Sequence, residues 1–362
     1  MKIKCHITLM LILCVIITMF PTQVMAIEND TFEQLAHNTA VSWLNDNSEE
    51  YYTLRNVSAD VYRTFELENT IKYYILITYE TKLKVSSADE LPYIQGLKSS
   101  ISSATAKKSL TSIHQEKLHQ VISAKVAELN RDYIGVYTPA SIDIVVEINP
   151  ATLDVILYYY DIVSTTQYPI EILEHDSDIM RQNGIHDANA LIATFTTSST
   201  ESLRSITGCP NYSQNAARDY ANTYSSNVVS CECGSSSCVA KYDSDYWNSD
   251  YTGHPHSDCA NFVSQCLHAG GIPTDNTWYA ESSSWIGVAN LIEYMVDEGY
   301  VNSSTYAAAC KGDIVRWTDS SHVALITYND TIEHRYTGHT RDRKDLKFSH
   351  TSQLYYAINT SS

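Results

Sequence analysis

The stretch 256–271, "HSDCANFVSQCLHAGG", sets a thiol at the start of a helix pattern. Ser257 or Asp258 is suited to cap that helix, and Cys259 falls in its first turn. Helical spacing aligns Cys259, Phe262, Val263, Cys266 and Gly270 in one stripe that must face a core. Free amide N–H groups and the helix dipole favour an anion at this end, which draws a thiol toward thiolate. Thiolate is the nucleophilic form, and the Cys259 N–H is suited to hold an oxyanion. Two plainer readings stand beside this one: a small buried hydrophobe, or a bridge to Cys310. Cys266 lies about 10.5 Å further along the helix axis, too far for a bridge to Cys259 within one helix. It reads as inert core or as bridged elsewhere.

A nucleophile of this kind needs a base. In "GDIVRWTDSSHVALITY" (312–328) a strand ends at Trp317, a polar turn follows, and His322 opens an apolar strand. A histidine at a strand start sits at the sheet rim, where it can titrate near neutral pH. The next strand, 332–340, returns as a hairpin. With a loop of two or four residues, His322, Thr337 and His339 share one face and His334 takes the other. An odd loop reverses this. Asn329 is roughly 23 Å along the strand from His322, too far to orient its ring. His339 is therefore the expected third member, with Asp342 as the fallback.

Taken together, "DCANFVSQCLHAGG", "GDIVRW" and "HVALIT" resemble the family named "Putative amidase domain", itself similar to papain-like cell-wall hydrolases of the NlpC and CHAP groups. "YSQNAARDYANTY" (212–224) matches the family's usual opening. The resemblance covers about 212 to 345. It implies a papain-like fold, with a nucleophile helix packed on an antiparallel sheet. It also implies a cysteine amidase or peptidase acting on peptidoglycan or a related peptide, with no cofactor and no metal. Cys259 falls on the nucleophile, His322 on the base and His339 on the polar third position. The insert at 226–256 is longer than the family pattern and bears cysteines.

Around these residues the chain reads as an α+β protein in several parts. Residues 1–26 look like a signal peptide: Lys2 and Lys4, an apolar run, then "VMA". This predicts a secreted or wall-associated protein with no membrane span after cleavage. Residues 27–175 read as helix, hairpin, helix, hairpin, an N-terminal α+β domain for binding or spacing. The hairpin turns are expected near Glu68–Thr70 and at Asn149-Pro150. Residues 176–208 read as a linker, ending in the Ser/Thr-rich "TFTTSSTESLRSITG". Residues 209–362 form the papain-like domain. The formal charge of −18 opposes a nucleic-acid partner.

Of nine cysteines, Cys5 and Cys14 leave with the leader. The odd number that remains is compatible with one free thiol beside disulfides. In "CECGSSSC" (231–238) bridges, including one to Cys209, are expected over zinc, because the spacing is not that of common zinc sites. Tyr251, Trp278, Tyr279 and Trp285 are candidates to line a peptide groove. A non-catalytic wall-peptide-binding module is the alternative to an enzyme.

Overall fold

The computed structural model describes residues 21–106, 110–197, 212–227, 241–246, 258–340 and 342–359. The Cys209 and 231–238 cysteines, the leader up to residue 20 and Tyr251 lie outside them.

Alternating apolar residues build the first hairpins. Strands β1 (Tyr52–Glu66) and β2 (Ile71–Leu83) meet at Glu66 opposite Ile71. Strands β3 (Thr138–Ile148) and β4 (Val155–Asp161) meet at Ile148 opposite Val155. Both turns fall where the sequence predicts. The Asn149 side chain shapes the second, accepting from the Ala151 and Thr152 amides, as turn asparagines do. A short β5 (Thr166–Pro169) continues from β4. The expected helices appear as α1 (Pro21–Ser48) and α3 (Ser112–Asp132).

Two helices were not predicted, α2 (Pro92–Ala106) and α4 (Ser177–Thr197). The second lies within the segment 176–208 that the sequence suggests as a linker. The two helices cross at a pair of glycines. A Cβ on Gly96 would stand 2.1 Å from the Arg181 carbonyl oxygen, and one on Gly184 would stand 2.1 Å from that of Tyr93. Only glycine permits so close a backbone approach. Tyr93 then donates to the buried Asp187 carboxylate at 2.8 Å. Beside the glycines, Met180, Ala188 and Leu191 pack into one core with Ile94 and Leu97 of α2, so the helix is held by a few apolar residues set in a polar sequence.

The C-terminal half supplies α5 (Gln214–Thr223), α6 (Cys259–Ala269), α7 (Ser283–Ile286) and α8 (Val288–Asp297). Its strands are β6 (Val301–Ser304), β7 (Ile314–Trp317), β8 (His322–Asn329), β9 (His334–Gly338), β10 (Arg343–Phe348) and β11 (Gln353–Ile358). Among the described residues all strands join one 11-stranded sheet, in the order β1-β2-β3-β10-β9-β8-β7-β11-β6, with β4 and β5 branching from β3. The fold is α+β, as expected.

The expected boundary near 208 is not a boundary of this sheet. β3 runs parallel to β10, with Leu346 opposite Ser141, and the Ser141 hydroxyl donates to the Lys344 carbonyl. Across that seam Arg343 donates to both oxygens of Asp143, at 2.7 and 3.2 Å. Both side chains are buried. One face of the sheet joins Ile75, Ile77, Ile142 and Ile144 to Trp317, Ala324, Ile326, Tyr336 and Phe348 in a single core. The opposite face, over β7 and β8, is covered by α5, α6 and α8.

A chain beginning near residue 205 would expose one face of that core and leave Arg343 without its carboxylate. We expect it not to fold stably, so its circular dichroism melt should lack the cooperative transition of the full chain. In the full chain Arg343→Ala should cost about 3–5 kcal/mol, because it strands a buried Asp143 charge. The pair Arg343→Met with Asp143→Leu should recover most of that loss in urea unfolding. A soluble, cooperatively melting fragment from residue 205 would refute the shared-core reading.

Candidate active site

Cys259 is the first residue of α6, and Asp258 stands at its N-cap position. The expected cap bond is absent because Asp258 is engaged elsewhere. Its Oδ1 accepts from Asn261 Nδ2 at 2.8 Å, and its Oδ2 lies 2.6 Å from His339 Nδ1. The helix ends at the predicted double glycine. Gly270 is required there, since a Cβ would stand 2.1 Å from the Tyr212 ring.

Cys259 and Cys266 are free buried thiols, so the bridge from Cys259 to Cys310 does not form. The Cys259 Sγ lies 3.9 Å from the Ser321 carbonyl oxygen. The Val323 and Ala260 amides and the Thr340 hydroxyl also reach the thiol. Ser321 C=O and Val323 N–H project from the same edge of the strand. The thiol thus sits at the edge of β8 and against the main chain on both sides of His322. Burial pushes the Cys259 pKa up, and the amide and hydroxyl contacts offset this only in part. The expectation of a thiolate stabilised by the helix start is corrected for this closed arrangement: Cys259 is only 4% exposed, and the thiol is protonated at neutral pH.

His322 opens β8 as predicted. Its ring meets the Trp317 ring edge-on at 5.3 Å, and Trp317 donates to Asp161 of β4 at 3.0 Å. Gly338 leaves space beside it: an added Cβ would meet His322 Nε2 at 3.7 Å and Ala324 Cβ at 3.2 Å.

The hairpin register differs from the predicted one. Asn329 pairs with His334 across a four-residue loop, but a bulge between Ile326 and Tyr328 shifts the pairing so that Leu325 faces Thr337. One extra residue changes which side chains share a face. Continued toward the rim, this register aligns His339 with Val323 and the helices, and His322 with Gly338 and Thr340. The inference that His322 and His339 share a face is therefore corrected. His339 stacks on Phe262 with ring centres 3.9 Å apart. Its Nδ1 meets Asp258, and its Nε2 lies 2.6 Å from the Tyr224 carbonyl oxygen. The fallback, Asp342, accepts from the Ser226 hydroxyl at 3.0 Å.

His339 touches two oxygen acceptors, one at each nitrogen. Only the imidazolium can donate to both. Burial opposes that charge, but the Asp258 carboxylate outweighs it, and the pKa lies above the ordinary histidine value. The ion pair locks the start of α6 to the end of β9.

Two residues of the site were not read from the sequence. Asp258 was read only as a cap, though its place beside Cys259 was a signal. Thr340 carried none: it holds φ at 78°, an unfavourable region for a β-branched residue. Its hydroxyl accepts from the Asp258 amide at 3.0 Å. The expected groove aromatics separate. Trp278 and Trp285 are wholly buried, whereas Tyr279 is exposed. Trp285 donates to Asn261 at 2.7 Å and Trp278 to Ser264 at 3.3 Å, so both brace α6 from within the core. Among the described residues no group of His, Cys, Asp and Glu is arranged to hold a metal.

The His339 pair gives a pH test. A raised folded pKa means its contribution is full below the ordinary histidine pKa and fades as pH rises through the folded value. The stability lost in His339→Gln, from urea unfolding, should therefore be greatest at acidic pH and shrink toward alkaline pH. A difference that grows with pH would show that the ring is neutral.

Comparison with known families now bears on this geometry. The family model described as "Putative amidase domain" matches residues 211–360. A protein of Bacillus subtilis (strain 168) described as "Uncharacterized protein YjcM" is 26% identical over 91 residues, covering 24% of this chain and 22% of that protein. The chain thus spans less than a quarter of that relative. No solved structure matches. Among the described residues no helix is long and apolar enough to cross a membrane.

Proposed function

We propose that the C-terminal half is a cysteine-dependent amidase or peptidase, with Cys259 as nucleophile and His322 as base. The observation that carries this reading is the free Cys259 thiol, at the first position of a helix and against the main chain that brackets His322. The match to an amidase domain family supports amide hydrolysis as the chemistry.

In this reading His322 takes the Cys259 proton as the substrate carbonyl arrives, because the closed thiol is not ionised. The thiolate adds to the carbonyl carbon. Amide N–H groups at the start of α6 hold the resulting oxyanion. His322 returns the proton to the leaving amine, and water then hydrolyses the thioester. His339 acts as a positioning residue through Asp258, replacing the Cys-His-His triad with a Cys-His pair on a charged brace. A papain-like arrangement of helix and sheet, kinship with the NlpC and CHAP hydrolases, export through a cleaved leader and peptidoglycan as substrate belong to the same proposal. The strongly acidic chain favours a peptide substrate over an anionic polymer.

Cys259→Ala and His322→Ala should each remove nearly all amine release from muropeptides or short peptides, and the double variant little more. His339→Gln should lower the melting temperature and retain part of kcat. Alkylation of Cys259 by iodoacetamide should be slow near pH 7 and accelerate with alkalinity. A Cys259→Ala protein that cleaves at the parent rate would overturn the mechanism. A parent that binds wall peptides without cleaving any would establish the binding-module reading.

A further inference from the structure

Thr340 follows β9 with its backbone at φ 78°, where a β-branched residue is strained. Thr165 and Thr331 share the sign of φ, but both lie in turns between consecutive strands. Thr340 instead stands at the start of α6. Its hydroxyl accepts from the Asp258 amide at 3.0 Å, and the same hydroxyl reaches the Cys259 thiol. Glycine would take this backbone without strain. What the threonine adds is a hydroxyl with two contacts at the head of the helix.

A hydroxyl has one proton to give and lone pairs with which to accept. The Asp258 N–H takes a lone pair and fixes the oxygen in place. The proton is left to point at the Cys259 sulfur. A neutral thiol is a weak acceptor, whereas a thiolate accepts a charge-assisted bond. The contact therefore strengthens as the Cys259 proton leaves. An interaction that grows along the reaction speeds it, whereas one of constant strength only binds. The surroundings add to this, because Cys259 is 4% exposed and a hydrogen bond to charge is stronger away from water.

The charged and titratable neighbours do not supply the same help. Asp258 of α6 opposes a negative sulfur. His339 of β9 is committed to Asp258 and the Tyr224 carbonyl. His322 of β8 takes the proton in the proposed reaction, and Asp342 beyond β9 accepts from Ser226. The Val323 and Ala260 amides also reach the sulfur, but they belong to the backbone whatever the side chains are. The Thr340 hydroxyl is a contribution of residue type.

We propose that Thr340 is a catalytic residue whose hydroxyl donates to the Cys259 sulfur and holds the charge formed when His322 removes the proton. The proposal deepens the cysteine-hydrolase reading and rests on it. The Cys259 proton passes to His322, the electron pair stays on sulfur, and Thr340 keeps its own proton throughout. When sulfur bonds to the carbonyl carbon, the charge moves to the carbonyl oxygen and the contact weakens again.

The test compares two full-length variants with the parent. Thr340→Gly removes the hydroxyl and relieves the backbone, and Thr340→Ser keeps the hydroxyl. Iodoacetamide alkylation of Cys259, followed on its own peptide by mass spectrometry, is measured from neutral to alkaline pH. The midpoint of the pH profile reads the charge on sulfur, whereas the absolute rate also reads access. In Thr340→Gly the midpoint should rise by about one pH unit, a tenfold loss of thiolate at neutral pH, with the melting temperature within a few degrees of the parent. Thr340→Ser should keep the parent midpoint. On a peptide that the parent cleaves, Thr340→Gly should lower kcat about tenfold and leave KM nearly unchanged. An unshifted midpoint in folded Thr340→Gly would overturn the proposal, as would a Thr340→Ser midpoint that rises as far as that of Thr340→Gly. If Thr340→Gly does not fold, an unshifted midpoint in Thr340→Ala overturns it. Alkylation needs no substrate, so the two readings fail separately: cleavage by Cys259→Ala at the parent rate defeats the hydrolase mechanism, and an unshifted midpoint defeats only the role of Thr340.

Discussion

The Arg343–Asp143 pair is the constraint on which the arrangement depends. Two charged groups 200 residues apart are buried together at the join between β3 and β10. Burying either alone is costly, whereas together they satisfy each other with two charge-assisted bonds. The join has few main-chain pairings of its own, so this side-chain contact does much to set its register. Neighbouring β9 repeats the device. Arg335 is buried against Glu333, and it also donates to Thr138 Oγ1 and the Pro139 carbonyl of β3. Lys347 lies 3.5 Å from the same Glu333, whose pKa is held at about 2 because Arg335 and the other nearby cations outweigh its burial. These side chains fix β9 and β10 to the N-terminal sheet and so fix the hairpin that carries His322.

From this join the order reaches the thiol through two routes. On one face, Asp161 of β4 holds Trp317, and Trp317 packs on the His322 ring. An N-terminal carboxylate is thus two contacts from the proposed base. On the other face, β9 runs to His339, whose imidazolium holds Asp258 beside Cys259. Asp258 surrenders its usual capping bond to make this pair. The helix start is secured instead by an ion pair and by Thr340, which is strained in backbone yet bonded to the Asp258 amide. The N-terminal half is therefore part of the support for the site and not only a spacer.

The sequence exposed what periodicity and turn chemistry can carry. The two N-terminal hairpins, the Cys259 helix with its double-glycine end, and the strand opening at His322 all follow from local patterns. What it concealed depends on distant partners. "RKDLKF" (343–348) has the charge of a surface loop, yet it is a central strand, because each charged residue that turns inward finds a partner elsewhere in the chain. Arg343 meets Asp143, Asp345 accepts from Thr327 and Asn222, and Lys347 meets Glu333. The α4 helix is hidden because its few buried apolar residues are spaced among polar ones and a pair of glycines sets its crossing with α2. The role of His339 turned on a single bulge near Thr327, a feature without an alphabetic signal. A face assignment that is sound for a regular hairpin reverses when one residue leaves the ladder.

The same bulge parts the two histidines that the sequence placed on one face. A base must exchange its proton with substrate, whereas a buried imidazolium between two acceptors cannot release one without losing a bond. His339 is bound on both sides and suited to holding a helix in place. His322, at the strand start beside Gly338, is buried against Trp317 and is the base only in the proposed reaction. The thiol lies between these roles. Its contacts with amide and hydroxyl groups favour an anion, but burial opposes the anion more strongly and keeps the proton on sulfur. In the proposed reaction, ionisation waits for a base and a substrate carbonyl to share the charge. The His339 brace lies beside Cys259 on the face that α6 covers, whereas the His322 ring shares the opposite face with Trp317.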